Sequence, residues 1–195
     1  MGIFSALCNE ALIRELSREL NTDVLLFGFD GFTYFGNLQA IDFGRIAVLA
    51  PASVSGVTDV EIQTPGGETE FVSSARVDLW QIVGKGTSIA TDPLNAEDNA
   101  PPAPAAGVKA DDPPGRQESH LLINQLKRMI GDVVVITTLG GFLFTGILTD
   151  VRCELAVLTV DEIAIPGTST AIPKSEVKSA VVNLEALTSV SSEAT

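Results

Sequence analysis

The feature that most constrains the fold of this chain is an internal repeat. Subtracting 12 from 122 gives an offset of 110 residues, at which identical residues recur in two parts of the sequence. These identical positions are Leu12/Leu122, Ile13/Ile123, Leu16/Leu126, Arg18/Arg128, Val24/Val134, Gly31/Gly141, Phe32/Phe142, Gly36/Gly146 and Leu38/Leu148. One residue is then lost, and Ala47–Leu49 matches Ala156–Leu158. Because most identities fall on apolar residues and glycines, which determine a fold, the pattern predicts a duplicated domain.

A proline-rich segment separates the two copies. Six of the ten prolines lie between Thr91 and Gly115, where large apolar residues are almost absent. Such a composition buries too little surface to offset its ordering entropy, which is typical of a linker. We therefore predict a first domain at residues 8–84, a linker at 85–118 and a second domain at 119–188.

Each copy is predicted to form one helix and five short strands. The helix pattern places apolar residues at Leu12, Leu16 and Leu20, and at Leu122, Leu126 and Ile130. The predicted strands are Asp23–Phe29, Phe32–Ile41, Ile46–Leu49, Glu70–Ser73 and Val77–Val83, then Asp132–Leu139, Phe142–Val151, Leu155–Val160, Ala171–Ile172 and Val177–Val182. Asp30-Gly31 and Gly140-Gly141 suit two-residue hairpin turns. The mid-strand glycines Gly36 and Gly146 indicate bends, so a small barrel is expected.

This pattern resembles the first motif of the bacterial Sm-like family. The motif reads Asp30-Gly31-Phe32-x-x-x-Gly36-x-Leu38 in one copy and Gly140-Gly141-Phe142-x-x-x-Gly146-x-Leu148 in the other. The resemblance implies a mainly β chain with two bent five-stranded barrels, each preceded by a helix. It also implies that the fourth and fifth strands pair edge to edge with neighbouring barrels and form rings. The segments Phe71–Val77 and Ala171–Val177 resemble each other and are matched to the short fourth and fifth strands of the family.

The residues that contact RNA in the family are largely missing here. Asp42 matches the acidic position, but Ile46 stands where asparagine is expected, and Arg152 replaces the acid in the second copy. The loops Ser73–Ala75 and Pro173–Ser175 lack the family's arginine-glycine pair. The candidate pore-loop residues for RNA binding are Asp42, Arg45, Arg152, Lys174 and Lys178. A basic pore would have to come from the second copy, through Arg152, Lys174 and Lys178.

The sequence contains no cluster typical of an enzyme or a metal site. His120 is the single histidine, and Cys8 and Cys153 are far apart in the chain. Gly84–Thr87 lacks the full spacing of a phosphate-binding loop. Asp111-Asp112 and Asp161-Glu162 are typical of solvated loop charges. We therefore predict a non-enzymatic protein without a cofactor or metal.

The returning strands carry a second apolar face. Alternation places Phe32, Tyr34, Gly36 and Leu38 toward the core. The opposite face is too apolar for a fully wet surface, which indicates either an interface or coverage within the domain. The candidate interface residues on that face are Phe35, Ile41, Leu143, Ile147 and Val151.

Charge decides between the function classes that remain. The net charge is −13, of which residues 1–84 contribute −7 from 4 basic and 11 acidic side chains. A nucleic-acid binder is expected to carry a basic surface, so nucleic acid is an improbable partner. No apolar run approaches the roughly 18 residues of a membrane span, and two cysteines cannot form a disulfide framework, so a reduced cytoplasmic setting is expected.

The leading hypothesis is a self-assembling structural or scaffold protein, a homo-oligomer with possible further protein partners. Resemblance to Sm-like domains of spore-forming bacteria adds an association with the spore or its coat. Three chains in one six-barrel ring and a back-to-back arrangement both stay open. The alternatives are a riboregulatory Sm-like RNA ring and an adaptor whose proline-rich linker binds a partner.

Overall fold

Antiparallel β-structure dominates this chain, as the sequence predicts. The computed structural model describes residues 9–94, 119–152, 154–169 and 171–192, and for residues 119–121 it describes the backbone alone. Here residues 9–94 are the first half and residues 119–192 the second half. Cys8, Cys153, the side chain of His120 and most of the predicted linker lie outside the described residues.

Each half begins with a helix whose apolar side faces its own sheet. In the first half, α1 (Glu10–Leu16) precedes β1 (Asp23–Gly28), β2 (Thr33–Asp42), β3 (Ile46–Ala50), β4 (Val60–Gln63), β5 (Thr69–Val72), β6 (Ala75–Asp78) and β7 (Ile82–Ile89). In the second half, α2 (Ser119–Arg128) precedes β8 (Val133–Thr138), β9 (Leu143–Arg152), β10 (Leu155–Ala164), β11 (Ala171–Pro173), β12 (Val177–Asn183) and β13 (Leu187–Ser192). Leu12, Leu16 and Leu126 are buried, which confirms the helical pattern, whereas Leu20 and Ile130 lie beyond the helix ends and are exposed.

The described strands form one antiparallel sheet that runs through both halves. Along its main path the order is β13-β8-β9-β10-β12-β7-β1-β2-β3-β6. Strand β11 pairs with β10, while β4 pairs with β2 and β5. The halves are therefore neighbours within one sheet, joined where β12 meets β7.

The two halves repeat the same strand registers. Asp23 pairs with Asn37 in the first half, and Val133 pairs with Ile147 in the second, at the offset of 110 read from the sequence. The turn after each helix repeats as well, because the amides of Asn21 and Gly131 donate to Leu38 O and Leu148 O. The duplicated pattern thus extends to the hydrogen bonds of the sheet.

Several local predictions are corrected by the structure. The hairpin loops have three residues, since Gly28 N donates to Phe32 O and Thr138 N to Phe142 O. Strands β4 and β13 were not predicted, because Val60–Gln63 is short and Leu187–Ser192 is rich in serine. The predicted strand Val77–Val83 is the end of β6, a 3₁₀ turn and the start of β7.

The predicted match of Phe71–Val77 with Ala171–Val177 is wrong. Ala47 pairs with Val77 and Ala156 pairs with Val182, so Val77 and Val182 hold equivalent positions. The error arose because β3 and β4 are separated by an excursion at residues 51–59, whereas β10 runs without interruption over the equivalent stretch. The 3₁₀ turns Leu79–Gln81 and Leu184–Ala186 connect the equivalent strand pairs.

Bulges also overturn part of the predicted alternation. The β2–β3 register shifts at Gln39, and the β9–β10 register shifts at Thr149. An extra residue in one strand reverses which side chains face the core beyond it. Ile41 accordingly packs with the cluster around Leu38, and Val151 is buried in the core of the second half.

The core is shared unequally between the halves. One cluster contains most buried apolar residues of the second half together with Leu25, Phe27 and Phe35 of the first. The other cluster surrounds α1 and the opposite face of β1. One face of β1 is thus covered by its own helix and the other by the second half.

Candidate interaction site

The pairing of β12 with β7, here called the internal joint, is the best-defined contact between the halves. Its antiparallel pairs are Val177–Ile89, Ser179–Thr87, Ala180–Gly86, Val181–Lys85 and Val182–Gly84. Gly84 and Gly86 are close-approach positions, because an added Cβ would lie 2.9 Å from Val181 O and from Val177 Cγ1 respectively. The glycines that resembled a phosphate loop therefore allow two strands to pack closely.

A buried amide contact fastens one end of the internal joint. Asn9 Nδ2 donates to Leu79 O at 2.5 Å and to Ile82 O at 2.8 Å. Asn183 Nδ2 donates to Asn9 Oδ1, and both side chains are buried. The residue that precedes α1 therefore connects the last turn of the first half with the equivalent turn of the second.

Charged side chains line the internal joint next to α1. Lys85 is 2% exposed, and its Nζ lies 3.2 Å from Glu19 Oε1. Burial lowers the pKa of Lys85, and Glu19 opposes that shift. Arg152 Nη2 lies 3.6 Å from Glu15 Oε1, which also binds Arg18 Nη1 at 2.9 Å.

Aromatic rings fill the space between the halves. Phe27 contacts Phe142 edge-on at a centroid distance of 5.0 Å and Phe144 at 5.1 Å. Edge-to-face pairs of this kind add to the stability that burial alone provides. The internal joint is therefore both hydrogen-bonded along the strands and packed across their faces.

Three carboxyl groups meet where the chain leaves β7. Glu61 of β4 is 3% exposed, and its Oε2 has no hydrogen-bond partner among the described residues. Burial raises the pKa of Glu61 to about 7, and Asp92 adds to the shift through its charge and a hydrogen bond. Burial and then Asp92 also raise the pKa of Glu176, which precedes β12. Protonation of Glu61 and Glu176 therefore favours the contact between these carboxyl groups and Asp92.

The two end strands of the main sheet path each have an open edge within the part of the chain that the structure describes. Strand β6 pairs with β3 alone, and β13 pairs with β8 alone. Leu79 N donates to Arg45 O, and alternate residues of an antiparallel strand direct their amides to the same side. The amides of Val77 and Ala75 therefore point toward β3, while the amide of Arg76 points toward the open edge.

The candidate interface residues are scattered rather than gathered on one surface. Phe35 is buried against the second half, and Val151 is 4% exposed in the core. Ile41 and Leu143 are half-buried, and Ile147 is 40% exposed.

Three of the five candidate pore residues are engaged by acidic partners of the same chain. Arg45 Nε donates to Asp78 Oδ1 at 2.9 Å, and its guanidinium lies 4.3 Å from the Trp80 ring centroid. Arg152 is engaged by Glu15, and Lys174 Nζ lies 3.6 Å from Asp161 Oδ1. Asp42 and Lys178 are exposed.

Sequence reasoning missed the residues that build the internal joint. Asn9, Lys85, Glu61 and Glu176 carry no motif, because their partners come from the other half or from distant strands. One signal was present: Lys85 stands in the middle of an apolar, glycine-containing strand, where a lysine needs a buried acceptor.

Comparison with known proteins identifies no relative: neither the family models nor the curated proteins searched match this sequence. In the described ranges, helices are too short or too polar to cross a membrane. Among the same residues, histidine, cysteine, aspartate and glutamate nowhere form a group of three or more that could hold a metal ion.

Proposed function

We propose that this chain is a non-enzymatic structural protein that assembles with copies of itself through its open strand edges. The observation that supports this most is the asymmetry of the sheet. β12 of the second half pairs with β7 of the first, while the equivalent strands β6 and β13 each have one open edge among the described residues. A joint repeated from chain to chain would satisfy both edges, because unpaired edges are ready templates for strand addition.

We further propose that each half is a small bent barrel of the Sm-like type. The same five-strand order occurs in both halves, β13-β8-β9-β10-β12 and β7-β1-β2-β3-β6. Bulges lie at equivalent points, and at Gly146 an added Cβ would lie 2.2 Å from Thr159 O. Bulges and close-approach glycines are devices by which small sheets curve into barrels.

The equivalence of the halves predicts a specific register between chains. Positions 82–87 of β7 correspond to 187–192 of β13, as their pairings with β1 and β8 match. Positions 75–77 of β6 correspond to 180–182 of β12. The chain-to-chain joint therefore has Val77 opposite Ser189, Arg76 opposite Val190 and Ala75 opposite Ser191.

Repetition of this joint makes each chain contribute two consecutive units of a larger assembly. Three chains would supply six units to a closed ring, which is the assembly that we favour over a back-to-back arrangement. Edge pairing of the halves within one sheet supports that preference. A cytoplasmic setting and an association with a spore or coat are part of the same proposal and rest on the resemblance alone.

RNA binding by an Sm-like ring is the competing hypothesis. Three of its candidate basic residues, Arg45, Arg152 and Lys174, are engaged by acidic partners of the same chain. The net charge of −13 also opposes a polyanion. Both observations favour assembly between proteins.

Cysteine cross-linking tests the proposed register. In a background with Cys8 and Cys153 changed to serine, we expect Ala75→Cys with Ser191→Cys to form disulfides between chains on mild oxidation. These residues would form a non-hydrogen-bonded pair, in which Cα atoms lie about 4.5 Å apart, close enough for a disulfide.

The matched control is Ala75→Cys with Ser189→Cys, which is two residues out of register. A covalent ladder of chains from the first variant and little from the second supports the proposal. Equal cross-linking of both variants, or of neither, contradicts it.

A further inference from the structure

We propose that Asp42 in the β2–β3 turn recognises the basic end of α2 in a second copy of this chain, and that this charge pattern enforces alternation of first and second halves. The inference rests on the proposed edge assembly and adds a rule for which edge accepts which partner. Its starting point is a charge contact in the internal joint that is reversed at the open edges.

In the internal joint, the β9–β10 turn of the second half lies next to α1 of the first half. Arg152 at the start of that turn approaches Glu15 of the helix, with 3.6 Å between Nη2 and Oε1. Glu15 is also bound by Arg18, which lies three residues further along the chain, just past the end of α1. A basic turn thus meets an acidic helix residue.

The offset of 110 places different charges at the open joint. At this offset Arg152 is equivalent to Asp42, Glu15 to Gln125 and Arg18 to Arg128. The structure supports this offset across both elements, since the hairpin registers and the turns after the helices repeat at it. An acidic turn therefore meets a helix end that has lost its acid and retained its arginine, with Lys127 beside it.

The reversed charge of the turn, together with the loss of the helix acid, makes the wrong joints repulsive. A first half docking on another first half would bring Glu15 toward Asp42. A second half docking on another second half would bring Arg128 toward Arg152. Specificity of this kind requires repulsion in the wrong pair as well as attraction in the right one.

The expected effect of each contact is modest, because Asp42 and Arg128 are both exposed. Exposed ion pairs change an association constant by up to about fivefold, and salt screens them. Closed assemblies repeat the contact at every chain-to-chain joint, which multiplies the effect on the assembled population.

Charge exchange within one chain tests the inference. At low salt we expect Asp42→Arg and Arg128→Glu each to raise the concentration of half-assembly about threefold to tenfold. The double variant should return to within about twofold of the original chain. At 0.5 M salt the four proteins should converge, since the screening length there is only about 4 Å.

Glu70→Arg is the matched control, because Glu70 is exposed on β5, a strand that pairs with β4 and belongs to neither the β2–β3 turn, α2, β6 nor β13. It should leave half-assembly unchanged, and thermal melts of dilute monomer should be alike for all variants. A chain that never assembles overturns the proposed function itself. A chain that assembles, but whose two single variants are neutral or whose double variant is not restored, overturns the charge rule and leaves edge pairing standing.

Discussion

Glu61 is a carboxyl group that the fold holds almost out of solvent beside a second carboxyl group. Its Oε2 lacks a hydrogen-bond partner among the described residues, and its pKa is raised to about 7, first by burial and then by Asp92. A carboxyl group whose pKa is raised on folding stabilises the folded state at pH values below its ordinary pKa of 4.5. That stability is lost as the pH rises through about 7.

We therefore expect Glu61→Gln to stabilise the protein at pH 8 by up to about 3 kcal/mol and to have little effect at pH 4.5. Denaturant unfolding at the two pH values measures the difference. Glu70→Gln, at an exposed position of β5, is the control and should change neither value. A pH-independent effect of Glu61→Gln would contradict the assignment.

Residue-scale chemistry was the part least accessible from the sequence. The alternation pattern correctly marked Phe35 as too apolar for an exposed face, but its covering partner is the second half of the same chain. Lys85 and Glu19 are 66 residues apart, and a buried pair of this kind has no local sequence pattern. The burial and the partners of these side chains depend on how the two halves pack against each other.

Elements were predicted well where local chemistry determines them. Hairpins followed from glycine turns between apolar strands, and the helices followed from their spacing of buried leucines. Bulges at Gln39 and Thr149 were not predicted, because an extra residue in a strand leaves no compositional mark. Their consequence is visible at Ile41 and Val151, which face the core against the predicted alternation.

Gly146 allows the close approach of the paired strands β9 and β10. An added Cβ would lie 2.2 Å from Thr159 O, a backbone atom that cannot move away cheaply. We expect Gly146→Ala to destabilise the fold by about 2–4 kcal/mol, as overpacking against backbone does.

The matched control is Gly66→Ala. The nearest neighbour of its added Cβ is Thr64 Oγ1 at 3.7 Å, which is ordinary contact. A change within about 0.5 kcal/mol is expected there, measured by thermal or denaturant unfolding. Equal effects at the two glycines would argue against a close approach of β10 at Gly146.

The open edge of β6 gives a prediction about the amide of Arg76. Because this amide points away from β3, Arg76→Pro should block strand addition and leave the β3 pairing intact. Light scattering should then show single chains with a nearly unchanged melting temperature. Arg76→Ala separates the loss of the side chain from the loss of the amide and should still assemble.

Val77→Pro provides the contrasting variant on the same strand. Its amide faces β3, so we expect a loss of about 3 kcal/mol in folding stability from the missing ladder bond and the ring clash. If Arg76→Pro assembled like the original chain, pairing through β6 would be wrong.

At the scale of the whole molecule, duplication was the decisive prediction from sequence. The offset of 110 reappears in the strand registers of the two halves. The structure is also mainly β, as the predicted strands of both copies require. The sequence did not show that the two copies share one sheet, because strand pairing between halves depends on which edges meet. β7 continues to Ile89, so this strand includes the first residues of the predicted linker.

The sheet order also leads to the central proposal, which concerns the open edges of β6 and β13. One joint is closed within the chain, and we propose that the equivalent joint forms with a second copy. Assembly through β6 and β13 accounts for both edges without requiring nucleic acid, which an acidic chain is poorly suited to bind.

The mass of the purified protein before and after nuclease treatment, determined by light scattering across a range of concentrations, tests this claim most directly. The account predicts a multiple of the 20.5 kDa chain, with three chains for a closed ring, unchanged by nuclease and free of nucleic-acid absorbance. A strict monomer at high concentration, or an assembly that dissociates when nucleic acid is removed, would contradict it.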